Sequence, residues 1–175
     1  MNALLQRWPA LVGLTSAVLV LIFTADRETT AISVNVAVLC YLSAAAFGRP
    51  WLAWAAIPLF SVVVTVAKIA GFAWWAAFAV VGVVLIVAGL AIGVPRKPLW
   101  AQVGAAVVYG GLAVVALFLP VVVGGVLAGL ALAAHAGWDW VAYRRNEVVP
   151  RSLAEACMFL DVPLGVGVVV LSLTA

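Results

Sequence analysis

Along this chain, apolar runs of about twenty residues alternate with short clusters of charge, proline and glycine. A helix needs about 20 apolar residues to cross a hydrocarbon core. The pattern predicts seven such helices. They run from about Pro9 to Ala25, Ile32 to Phe47, Trp51 to Ala67, Phe72 to Val94, Leu99 to Leu119, Val121 to Val141 and Ser152 to Leu173. Most boundaries are marked by obvious breakers: Asp26-Arg27-Glu28, Gly48-Arg49-Pro50, Pro95-Arg96-Lys97-Pro98 and the loop 142–151. Two divisions are forced by length instead. Trp51–Val94 and Leu99–Val141 are each about twice a span, so they must fold back near Lys68-Gly71 and at Pro120. Pro58 and Pro163 fall inside predicted helices and are expected to kink them.

The fold class expected is therefore all-α, a polytopic transmembrane bundle forming one domain over residues 1–175. No internal repeat stands out, so an inverted-repeat transporter architecture has no support. The first apolar run follows Arg7 like a signal peptide, but no small-x-small cleavage site precedes Asp26, and it reads as an uncleaved span. Composition agrees with the pattern. The chain is 68% hydrophobic and 9% charged with mean hydropathy +1.29, against about 25% charged residues in a soluble domain.

Basic residues orient the bundle. With the N-terminus cytoplasmic, Arg7, Arg49, Arg96, Lys97, Arg144, Arg145 and Arg151 fall inside, and only Arg27 and Lys68 outside. This positive-inside bias predicts N-in and C-out in the plasma membrane. It also accounts for the net charge of +3 without nucleic acid. Lys68 is expected to snorkel to the outer surface. Trp8, Trp51, Trp54, Trp100, Trp138 and Trp140 map near the cytoplasmic ends, and Trp74 and Trp75 near the outer face, as an interfacial belt would.

Gly125, Gly129, Ala133 and Gly137 repeat every four residues, a stripe that lets another helix approach closely. Its expected use is internal packing, with Gly104, Gly110-Gly111, Gly165 and Gly167 as partners; a homo-oligomer or membrane-complex seam is the alternative. Cys40 and Cys157 lie in apolar stretches without metal-ligand spacing, so buried thiols are expected, with no metal and no cofactor.

Candidate chemistry concentrates in one run, His135–Asp161, HAGWDWVAYRRNEVVPRSLAEACMFLD. It carries the chain's single His and four of its six acids. His135 and Asp139 share a helix face at i and i+4. Counting from the predicted cytoplasmic ends, His135 is about 9 Å deep and Asp161 about 13 Å, so the two can meet on antiparallel helices. An Asp in mid-span costs about 2.5–3.5 kcal/mol and needs a partner. Pro163 frees the Phe159 carbonyl beside it. Asp161, Asp139 and His135 are thus the candidate catalytic or proton-handling residues. Asp139 has Arg144 and Arg145 as rival partners.

Trp138, Trp140, Tyr143, Arg144, Arg145, Arg151 and Glu155 are candidate ligand-binding residues. The arginines can cradle an anionic lipid headgroup or a small amphipathic ligand, and the aromatics, with Phe159, can line its pocket. Glu155 has a competing explanation: Ser152-Leu-Ala-Glu155 reads as a capping box. Asn35, Tyr41, Ser61, Thr65, Gln102 and Tyr109 are expected to make interhelical hydrogen bonds.

The His135–Asp161 run resembles the C-terminal end of small seven-helix membrane proteins of high-GC, actinobacterial-type genomes. That resemblance implies a class and supplies no chemistry. Microbial rhodopsins need a Schiff-base Lys that the last span lacks, and alkaline-ceramidase-like zinc hydrolases need several His ligands. There is no P-loop, G-x-S-x-G or HExxH. Three readings follow. The first is a small binding or transport-type protein with a protonatable His/Asp site. The second is a membrane enzyme acting on a lipid or isoprenoid with an Asp general acid. The third is an accessory subunit of a membrane complex.

Overall fold

A computed structural model describes residues 7–174. Among them the structure is entirely helical: α1 (Trp8–Phe23), α2 (Arg27–Phe47), α3 (Leu52–Ile69), α4 (Trp74–Ile92), α5 (Arg96–Ala116), α6 (Val121–Arg145) and α7 (Arg151–Thr174). The last six are long and apolar enough to cross a membrane, while α1 is a shorter apolar helix of 16 residues. Both length-forced divisions occur where expected, at Gly71 (φ 73°) and at Pro120.

Helix ends follow local chemistry. The Asp26 side chain accepts a 2.6 Å hydrogen bond from the Thr29 N–H and caps α2. Gly48 (φ 60°) ends α2 in the left-handed conformation, with Arg49 N–H returning to the Ala44 carbonyl. Helix α5 departs from expectation by starting at Arg96 and stopping at Ala116, three residues short of Leu119. Proline cannot continue the hydrogen-bond ladder, so the turn before Pro120 leaves carbonyls unpaired. Arg27 Nη1 donates to one of them, the Leu119 carbonyl, at 2.6 Å. Here Arg27 serves as an end cap.

Helix α2 is the hub. Some 78% of its most apolar window is buried, against 17–44% for the other long helices. It touches α3, α4, α5, α6 and α7. Its inward residues include Val34, Val38, Tyr41, Leu42 and Ala46. By contrast, α4 presents Val80, Val83, Val84 and Val87 outward. A bundle with an apolar exterior of this extent suits a hydrocarbon solvent rather than water.

The α6–α7 pair has the most extensive contact among the described helices. A Cβ added at Gly165 would meet the Gly129 carbonyl oxygen at 2.5 Å, and one at Gly129 would meet the Gly165 carbonyl at 2.6 Å. Gly125 faces Ser172. The small-residue stripe is thus filled by α7 from within the chain, except at Gly137, which has open space. Gly167 packs on Leu21 of α1 and Gly110 on Asn35 of α2, while Gly104 and Gly111 face open space.

Several polar residues differ from expectation. Ser61 and Thr65 are exposed and bond back to the carbonyls of Ile57 and Ser61 on their own helix, so they make no interhelical bond. Trp74 is buried, donating to Glu28 Oε1 at 3.2 Å, so it is an internal strut and not a belt residue. Lys68 Nζ pairs with the same Glu28 oxygen at 2.8 Å, with both side chains about half exposed. Lys68→Ala should therefore cost less than about 1 kcal/mol in detergent unfolding.

Candidate functional site

Four side chains from three helices converge in the interior. Helix α6 presents His135 and Asp139 one turn apart on its buried face, α7 presents Asp161, and α2 presents Tyr41. His135 Nδ1 lies 2.8 Å from Asp161 Oδ2. The same nitrogen lies 3.5 Å from Asp139 Oδ2, an electrostatic contact too long for a good hydrogen bond. The Tyr41 hydroxyl donates to Asp139 Oδ1 at 2.6 Å. His135 and Asp139 are 0% exposed, and Asp161 and Tyr41 1%. Asp139 therefore pairs with Tyr41 and His135, and the expected rivals Arg144 and Arg145 lie elsewhere.

The centre is incompletely satisfied. Asp139 Oδ2 and His135 Nε2 are buried without hydrogen-bond partners among the described residues. Such groups are expensive in a low-dielectric interior. The imidazole is walled by two tyrosine rings, Tyr41 at 5.7 Å and Tyr109 at 5.2 Å between centroids, each at 89°. Tyr109 sits in a π-helical turn, Ala106–Gly110, within α5. Asn35 packs against that turn, donating to the Ala31 carbonyl at 2.9 Å and reaching the Gly110 carbonyl at 3.4 Å. Single π turns of this kind often mark functional positions.

A cavity of about 700 Å³ opens at the bundle end formed by the α2 and α6 C-termini and the start of α5. Ala44, Lys97, Gln102, Trp138, Ala142 and Arg145 are among its lining residues. Trp138 Nε1 donates to Gln102 Oε1 at 2.9 Å across it. Ala44 and Ala142 each follow Tyr41 and Asp139 by three residues, so the cavity lies about one helical turn beyond the buried centre. Val148 also borders it, with φ 68°. A β-branched residue with positive φ is a strained feature of the kind found at functional loops.

The expected ligand-binding residues do not form one pocket. Trp138 and Arg145 line the cavity. Trp140 and Tyr143 stack at 6.3 Å on the outside of α6, with Arg144 over Trp140 and Arg151 over Tyr143. Arg151 Nε also donates to the Tyr143 carbonyl. Glu155 points the other way, toward Arg7 Nη1 at 3.3 Å. Ser152 is already helical and accepts from Trp54 Nε1 at 3.1 Å. The expected capping box is therefore absent: α7 begins directly after Pro150, whose fixed φ suits a helix start, and both box residues serve other helices. Phe159 is exposed as well.

Sequence reading missed Tyr41 and Tyr109 as members of the centre. A signal existed: two of the chain's three tyrosines lie in mid-span, away from the interface where tyrosine usually sits. Comparison with protein-family models, curated proteins and solved structures gave no match for this chain.

Proposed function

We propose that this is a small binding or transport-type protein of the plasma membrane, N-terminus cytoplasmic and C-terminus outside. His135, Asp139 and Asp161 form its protonatable site, and the cavity is its cytoplasmic vestibule. One observation carries the reading: a fully buried, incompletely paired His/Asp centre lies one helical turn inside a cavity. A purely structural clamp satisfies its buried acceptors, whereas Asp139 Oδ2 accepts no hydrogen bond and has only the 3.5 Å contact with His135 Nδ1. Lys97, Arg145 and Glu147 bring both signs of charge to its lining.

The other two readings have less support. A lipid-processing enzyme needs its aromatic and arginine residues beside the acids, whereas Trp140, Arg144 and Arg151 are exposed and stack with the half-buried Tyr143 away from them. An accessory subunit docking through the glycine stripe needs that stripe free, whereas α7 fills it.

The test is proton flux in proteoliposomes carrying an internal pH dye. Wild type should dissipate an imposed gradient. Asp161→Asn should slow it by roughly 10²-fold, the lower range for loss of a positioned proton-transfer group. Ala101→Trp, which fills the cavity from an exposed lining position, should slow flux while leaving the buried centre unaltered. Flux undiminished by Asp161→Asn would sink the proposal.

A further inference from the structure

We infer that His135, Asp139 and Asp161 bind one first-row divalent cation of the Mn²⁺, Fe²⁺, Co²⁺ and Zn²⁺ class. This rests on the reading above that the centre exchanges a ligand with the cavity, and it names the ligand.

Spacing is the first argument. One nitrogen and two carboxylate oxygens from the three residues all lie within 4.8 Å of one another. His135 Nδ1 is 2.8 Å from Asp161 Oδ2 and 3.5 Å from Asp139 Oδ2. Atoms bound about 2.1 Å from one metal stand about 3.0 Å apart at a right angle and about 3.4 Å apart in a tetrahedron. Two edges of a coordination face are therefore present. A cation between the three atoms needs only side-chain adjustment.

One carboxylate oxygen of the cluster also accepts no hydrogen bond. Asp139 is 0% exposed, its Oδ1 is taken by the Tyr41 hydroxyl, and its Oδ2 has no hydrogen-bond partner beside the His135–Asp161 pair. That is the arrangement of a ligating carboxylate: one oxygen fixed by an outer hydrogen bond, the other presented to the ion. Tyr41 is then a positioning residue for Asp139.

Charge and donor type choose the cation. Two carboxylates and a neutral imidazole carry two negative charges, which a divalent ion cancels in a medium that penalises net charge. One imidazole nitrogen with two carboxylate oxygens suits Mn²⁺, Fe²⁺, Co²⁺ or Zn²⁺. The cluster itself holds neither the thiolate or thioether that Cu⁺ prefers, since Cys157, one turn before Asp161, lies outside it, nor the six to eight oxygens that Ca²⁺ takes. Binding through Nδ1 must expel the proton shared by His135 and Asp161, so each cation bound releases at least one proton.

The experiment uses the full chain in detergent, stripped with chelator and titrated with Co²⁺ at one fixed pH. Wild type should take up one Co²⁺ with visible d–d bands, release protons in weak buffer, and lose the bands to Zn²⁺ but not to excess Mg²⁺. Tyr41→Phe should weaken binding by about 10–100-fold, and Asp139→Asn and Asp161→Asn by more than that. Absence of Co²⁺ binding to wild type by equilibrium dialysis would overturn the inference, whatever the variants do. Binding undiminished in both Asn variants would overturn it too. Flux in chelator-treated liposomes separates the two proposals. Asp161-dependent proton flux without Co²⁺ binding defeats the cation and spares the protonatable site. Co²⁺ binding without flux does the reverse, and failure of both measurements defeats both.

Discussion

Gly165→Ala and Gly129→Ala are expected to be among the most damaging single substitutions in the chain, while Gly137→Ala, on the same stripe, is expected to be harmless. At Gly165 a new Cβ meets backbone on α6: the Gly129 carbonyl at 2.5 Å and the Ala133 nitrogen at 2.7 Å. At Gly129 it meets the Gly165 carbonyl at 2.6 Å and Val169. Ordinary contact begins near 3.4 Å. Backbone cannot swing aside as a side chain can, so the helices must separate by most of an ångström. Overpacking of this kind costs about 1–3 kcal/mol, and lost α6–α7 contact places these two at the upper end. Gly137 has nothing within 4 Å, and there alanine gains up to about 1 kcal/mol of helix propensity. Thermal unfolding in detergent should thus drop clearly for the first two and hold or rise for the third. Equal effects at all three positions would mean that the stripe is not packed on α7. The centre should feel the change as well. The 2.8 Å contact of His135 with Asp161 bridges the same two helices, and lengthening by most of an ångström takes it out of hydrogen-bonding range.

Much of this was legible in the sequence, for a definite reason. Long apolar runs are a coarse signal, so hydropathy located all seven helices and the divisions at Gly71 and Pro120, although six and not seven are long enough to cross a membrane: α1, at 16 residues, falls short. His135 and Asp161 could be matched in depth because helical rise is constant, and polar groups in an apolar bundle have few alternatives to each other. Prediction failed where a residue's partner lies on a helix remote in sequence. Ser152 and Glu155 have the spacing of a capping box, yet Trp54 of α3 and Arg7 compete successfully for them. Trp74 resembles a belt residue until Glu28 of α2 accepts its N–H. Trp140 and Arg144, close to Asp139 in sequence, are exposed, while Trp138 and Arg145 line the cavity, because a helix turns adjacent residues about 100° apart. Tyr41 is 98 positions from Asp139, and no local pattern records that distance. The π turn that brings Tyr109 to His135 has no sequence signature of its own.

His135→Ala should destabilise the protein by about 3–5 kcal/mol, the usual cost of breaking a buried charged pair by removing one partner. It leaves Asp139 and Asp161 close to each other in an apolar bundle, with Tyr41, among the described residues, as the one hydroxyl donor on either carboxylate. That loss alone does not say why the cluster exists, since any buried polar network is fragile to partial removal. Removing it whole is informative. Tyr41→Phe, His135→Leu, Asp139→Val and Asp161→Val together replace the centre with apolar groups of similar size. Apolar replacement of a buried ion cluster is often neutral or stabilising by about 1–4 kcal/mol. The present centre has two unpaired buried atoms to shed, which favours the stabilising end. The fourfold variant should therefore unfold at or above the wild-type midpoint in detergent, while losing both proton flux and Co²⁺ uptake. Such a result would mean that the cluster is kept at a cost to stability, as a site is. A fourfold variant less stable than His135→Ala would instead make the centre part of the structural core and remove the main ground for assigning it a function.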